Sequence, residues 1–227
     1  MPFQIKVSML VTQQRSVSPQ RFTVPGFTLI ELAIVLMVIG IIAGAVFKGQ
    51  DLLESAKIRS VMNDINRFRL AITMYQETYG ALPGDDANAR THFGDDVTNG
   101  NGNGIIAGDE SNAFWQHLNK AGQLSSPTAP TSKLGGKYSV VFQPNEHCQG
   151  HWLRLGKENG DQANGGLLTP KQAQLLKSKA EEGGNLNPTQ GSIRIIEGEG
   201  VAGGQCVQGD HLNLGVDSPV CVVLAVF

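Results

Sequence analysis

The sequence predicts an α+β protein: a long N-terminal α-helix, its first half transmembrane, its second half packed on a small antiparallel β-sheet head. Three observations carry this. Phe27 to Phe47 is a run of 21 residues with one charge, Glu31. Ile58, Val61, Ile65, Phe68, Ile72, Tyr75 and Tyr79 then recur in steps of 3 and 4, one apolar stripe along a helix. Beyond Gly80 the pattern changes to short runs rich in β-branched and aromatic residues, broken by glycine and proline.

The first element is long enough for a membrane. Residues 27–47 as a helix extend about 30 Å, the thickness of the hydrocarbon layer. Residues 1–26 contain Lys6, Arg15 and Arg21 and no acid, so the positive-inside rule places the N-terminus in the cytoplasm and the chain after Lys48 outside. A plain single-pass anchor has no use for Glu31, because an unpaired acid costs roughly 2.5–3.5 kcal/mol at mid-membrane. A secretory signal would use Ala43-Gly44-Ala45 as its cleavage site. It would then be far longer than the usual range of roughly 15–30 residues and carry an acid in its apolar region.

A third reading accounts for Glu31. Gly26-Phe27-Thr28-Leu29-Ile30-Glu31, a basic segment before it and an apolar run after it, resembles the leader junction of type IV pilins and type II secretion pseudopilins. The resemblance covers residues 22–82. It implies that a prepilin peptidase of the inner membrane cuts between Gly26 and Phe27 and methylates Phe27, which stays cationic. A buried acid is tolerable beside a partner charge and costly without one. The resemblance therefore gives Glu31 an assembly role, paired with the Phe27 amine of a neighbouring subunit. It implies a leader over residues 1–26, a helix over 27–79 with 27–47 in the membrane or filament core, and a head over 80–227. Many members have a proline where this chain has Lys48; Gly40 and Gly44 stand nearby, in a spacing that permits close helix approach.

The second half of the helix carries Glu54, Lys57, Asp64, Arg67 and Glu77 away from the stripe, and Gly80 with Pro83 ends it. Asn99-Gly100-Asn101-Gly102-Asn103-Gly104-Ile105-Ile106-Ala107-Gly108-Asp109-Glu110 follows. Counted from Asn99, side-chain oxygens fall at positions 1, 3, 5 and 12 and glycine at 6. That is the spacing of an EF-hand-type calcium loop, which needs short oxygen ligands, a tight turn and a bidentate acid. Asn99, Asn101, Asn103 and Glu110, with the Ile105 carbonyl, are the expected ligands. Asn99 stands where aspartate is usual, so affinity on the order of 10⁻⁴–10⁻³ M is expected. A flexible Asn/Gly linker and a metal-free turn of the same shape are the alternatives.

The remaining elements are short. Asn112–Ala121 reads as an amphipathic helix facing Phe114, Trp115 and Leu118 inward, and residues 125–136 as a linker. Tyr138–Phe142 and Trp152–Leu155 read as strands. Thr169-Pro170-Lys171-Gln172 is a capping box with proline at the first helical position, opening a helix to about Glu182 that stops at Gly183-Gly184. Ser192–Ile196 and the apolar run 219–226 complete the strands, the last buried on both faces.

Cys148, Cys206 and Cys221 allow one disulfide and leave one thiol, and the sequence does not assign the pair. The pilin resemblance implies Cys206–Cys221; Cys148–Cys221 is the alternative. His147 and His151 match a His-x₃-His zinc spacing, but with Cys148 they lack the fourth ligand of a closed site and read as a solvated turn. A net charge of −2 leaves no footprint for nucleic acid. No catalytic constellation stands out, so the expected role is a filament subunit, not an enzyme. Its expected partners are prepilin peptidase, other pilin or pseudopilin subunits and the inner membrane. After assembly it would lie in a periplasmic or extracellular filament. A membrane-tethered calcium-binding module is the reading from another class.

Overall fold

A helix with an all-apolar start and a striped continuation has two different surfaces to satisfy. In the computed structural model, which describes residues 26–143, 149–160, 162–181 and 184–227, the chain divides after Phe47 into two units. Helix α1, Leu29–Tyr79, runs across that division. In the first unit every residue from Phe27 to Phe47 is exposed. This stretch is long and apolar enough to cross a membrane. The helix starts at Leu29 and not at Phe27, because Thr28 takes the N-cap position, as described below.

In the second unit, from Lys48 onward, α1 buries Ile58, Val61, Ile65, Phe68, Ala71, Ile72 and Tyr75. Tyr79, the last of the expected stripe, is half-buried. Gly80 ends the helix with φ +69° while its N–H donates to the Gln76 carbonyl at 2.9 Å. A left-handed residue at this place favours glycine.

The stripe packs against an antiparallel sheet with strand order β1-β2-β7-β4, and β3 pairs with β2. The strands are β1 Lys137–Gln143, β2 Gly150–Asn159, β3 Gln162–Gly165, β4 Ile193–Glu197 and β7 Cys221–Val226. Alternation assigns the faces. Tyr138, Val140, Leu153, Leu155, Ile193, Ile195, Val223 and Ala225 join the α1 stripe in one core. Phe68 sits at its centre, edge-on to Tyr138 at 5.0 Å and to Trp115 at 5.4 Å. Arg69 of α1 caps the sheet: its Nε donates to the Val226 carbonyl at 2.7 Å. The opposite face holds Trp152, Arg154, Val222 and Leu224, all buried, which is why β7 reads as an unbroken apolar run.

Helix α3, Glu110–Lys120, starts two residues before the expected Asn112 and buries Phe114, Trp115 and Leu118 as expected. Helix α4, Pro170–Ala180, has the expected capping box: the Thr169 hydroxyl accepts from the Gln172 N–H and the Gln172 side chain accepts from the Thr169 N–H. It stops before Glu182; that residue and Gly183 lie outside the described residues. Its Lys177, fully buried, donates to the Ile193 carbonyl at 2.6 Å and stands 3.6 Å from Glu181. No apolar pattern announces that lysine, which ties α4 to β4 through its charge.

Four elements were not expected: the short α2, Ala89–Phe93, the hairpin strand β3, and the ribbon of β5, Val207–Gln208, with β6, His211–Leu212. Each is too short for periodicity to register.

Candidate functional site

The start of α1 gathers the residues on which processing and assembly would turn. Thr28 is the N-cap: its Oγ1 accepts from the Glu31 N–H at 3.2 Å, and Glu31 Oε2 accepts from the Thr28 N–H at 2.9 Å. The Thr28 hydroxyl also donates to Glu31 Oε2 at 2.9 Å. This reciprocal capping box satisfies two N–H groups that a helix start leaves open. Glu31 therefore has a local partner, and the spacing Thr-Leu-Ile-Glu is that of a capping box. Gly26 and Phe27 are exposed just before the cap. Of the expected leader, residues 1–26, only Gly26 is among the described residues.

The Asn/Gly loop is built differently from its expected ligand order. Asn101 Oδ1 accepts from the Asn103 N–H at 2.9 Å, and Asn103 Oδ1 from the Ile105 N–H at 2.8 Å. Glu110 bridges the loop: Oε1 accepts from the Asn101 N–H at 2.9 Å and Oε2 from the Ala107 N–H at 3.1 Å. Asn99 turns away, and its Oδ1 accepts from the Arg90 N–H at 2.8 Å. Ile105 is exposed at the loop surface.

The carboxylate at the loop's centre belongs to Asp85, which the spacing did not name. Asp85 is 5% exposed and accepts from the Asn103 N–H at 3.0 Å and the Gly104 N–H at 2.7 Å. Gly100 lies so close to Asp85 that a Cβ there would come within 2.4 Å of the Asp85 Cα. Only the Gly84-Asp85-Asp86 triplet ahead of the loop could have signalled this. As a cation site the loop offers neutral oxygens of Asn101 and Asn103 and the carboxylates of Asp85 and Glu110, a donor set of the hard oxygen type that suits calcium. No group of three or more His, Cys, Asp or Glu side chains gathers for a metal among the described residues.

A buried polar network anchors the loop to the core. Asp86 Oδ2 accepts from the Tyr75 hydroxyl at 2.8 Å and meets His92 Nδ1 at 2.9 Å, while Oδ1 accepts from the Asn88 N–H at 2.8 Å. Burial pushes the Asp86 carboxyl up, but the hydrogen bonds from Tyr75, Asn88 and His92 outweigh it and hold the carboxyl below its usual range. His117 is fully buried: Nδ1 accepts from the Gly84 N–H at 2.9 Å and Nε2 faces the Thr98 carbonyl at 2.8 Å. The proton therefore sits on Nε2, and burial pushes the imidazole down, keeping it neutral.

Cys206 and Cys221 form a disulfide with 5.3 Å between Cα atoms. Glu197, opposite Cys221 in the sheet, fixes the bridged loop by accepting from the N–H groups of Gly204, Cys206 and Val207. His147 and Cys148 lie outside the described residues. His151 Nε2 accepts from the Ile106 N–H at 3.2 Å, so that ring packs the loop onto β2.

No protein-family model, curated protein or solved structure matches this chain.

Proposed function

We propose that this chain is a filament subunit of the type IV pilin or type II secretion pseudopilin kind. Prepilin peptidase would cut between Gly26 and Phe27. Residues 27–47 would hold the subunit in the inner membrane, N-terminus inward, and then join it to neighbouring subunits in a periplasmic or extracellular filament. The observation that carries the reading is a fully exposed apolar segment with a single acid in the first helical turn. Lipid covers such a segment in the membrane, and other subunits cover it in a filament.

The capping box refines the mechanism. Thr28 and Glu31 both follow the cut, so the helix start survives processing and Phe27 is left one residue ahead of it. The Glu31 carboxylate is held by its own Thr28 and keeps a free face for the cationic amine of another subunit. Capping needs only an oxygen acceptor at residue 31, and glutamine provides one. Assembly needs the charge.

N-terminal mass spectrometry of the chain coexpressed with a prepilin peptidase tests the processing step. A start at monomethylated Phe27 is expected. A start at Val46 supports the secretory-signal reading, and an intact Met1 chain overturns the proposal.

A second reading, a calcium-binding loop, is favoured by Asp85, whose nearly buried carboxylate adds charge to the Asn101, Asn103 and Glu110 oxygens. Thermal unfolding of the head with several millimolar calcium against EGTA tests it. An upward shift that Asp85→Asn removes is expected, and no shift ends it.

A further inference from the structure

The face of the sheet turned away from α1 carries a charge that neither filament assembly nor the Asn/Gly loop uses. Arg154 on β2 stands between Ser139 of β1 and Leu224 of β7, and is only 8% exposed. Its Nε donates to Ser139 Oγ at 3.3 Å and its Nη2 to Gln162 Oε1 at 2.7 Å. Both partners are neutral. Among the described residues no carboxylate lies within 4.0 Å of the guanidinium. Burial pushes Arg154 down, and the charge of Glu199 works only partly against it. The Glu199 carboxylate is itself held by Asn164 Nδ2.

A buried guanidinium is costly unless a charge compensates it. Three of its five N–H donors are left after Ser139 and Gln162. Arg154, Ser139 and Gln162 line a cleft of about 520 Å³ that is also lined by Ser111 and Asn112 at the beginning of α3. Asp109, exposed on the same rim, repels any second negative charge.

We propose that this cleft binds a small monocarboxylate, its two oxygens gripped by the Arg154 fork and its polar substituents met by Ser111, Asn112 and Ser139. The planar fork matches a carboxylate in a way a lysine ammonium does not. The inference is independent of whether the chain forms filaments.

Two-dimensional ¹H–¹⁵N spectra of the full chain in detergent micelles test it, with sodium acetate or sodium glucuronate titrated at constant ionic strength against sodium chloride. Saturable shifts are expected at the Arg154 Nε–H and at the amides of Ser111, Ser139 and Gln162. Arg154→Gln should weaken the carboxylate at least tenfold and Arg154→Lys nearly as much, while inorganic phosphate should bind more weakly than acetate. Shifts that fail to saturate, match those of chloride, or fall outside the cleft overturn the proposal. So does phosphate binding as tightly as acetate. Should the variants not fold, the location and saturation of the wild-type shifts decide alone.

Discussion

One helix passes through two chemistries. Residues 27–47 are apolar on every side beyond Thr28 and Glu31 and exposed on every side; residues 48–79 are apolar along one stripe, and that stripe is buried to the last turn. Backbone hydrogen bonding is the same in both. The difference lies in what each surface is for: the striped part is completed within its own head, whereas the all-apolar part can be completed only by lipid or by other molecules.

The largest effect separates the two parts by stability. Phe68→Ala should destabilise the head by roughly 3–5 kcal/mol, through lost burial and a cavity between Trp115 and Tyr138. Ile39→Ala should leave head unfolding unchanged. Urea unfolding followed by near-ultraviolet circular dichroism checks both. A comparable loss from Ile39→Ala would erase the distinction.

Next is the disulfide. Cys206→Ser with Cys221→Ser should cost about 3 kcal/mol, since the bridge closes a 15-residue separation. The same unfolding measurement applies, and it should be matched by reduction of the wild type.

Within the head, acid should act through His117 and Asp86. His117 is held neutral, its folded pKa pushed below the ordinary 6.5 by burial. Its contribution is therefore fully present above about pH 6.5 and is lost as pH falls through the folded value. Asp86 adds a similar loss at lower pH, its carboxyl being held below the ordinary 3.8. Head stability should fall with acid below pH 6.5, and His117→Gln should flatten the upper part of that slope. An unchanged slope in the variant would remove His117 from the account.

The parts of the fold that repeat were legible in the sequence. The stripe from Ile58 to Tyr75, the Thr169 capping box, the inward Phe114 and Trp115 and the doubly buried Cys221–Val226 each repeat a local rule several times or match a specific one. Asp85, Glu197, Lys177 and Arg154 were not legible. Each is a polar residue whose meaning comes from what the chain brings to it from elsewhere: Asn103 and Gly104 to Asp85, Gly204 to Glu197, Ile193 to Lys177. Spacing named Asn99 as the first loop ligand, yet a carboxylate 14 positions earlier in the chain took the loop's centre. The Thr28–Glu31 box is spelled in the sequence too, but there the acid stands out more as a charge in lipid than as a cap.

The smallest effect concerns that cap. Thr28→Ala should cost the helix start about 1 kcal/mol, read as faster amide exchange over residues 29–33 with no change in head unfolding. Exchange that stays slow would mean the start is held by something other than Thr28.

Glu31→Gln separates cap from charge, because glutamine can accept the Thr28 hydrogen bond but carries no negative charge to offset a cationic amine. The decisive measurement is incorporation of this variant, against wild type, into filaments of cells that process both. The account predicts normal membrane insertion, normal processing at Phe27 and loss of incorporation. Incorporation equal to wild type would contradict it.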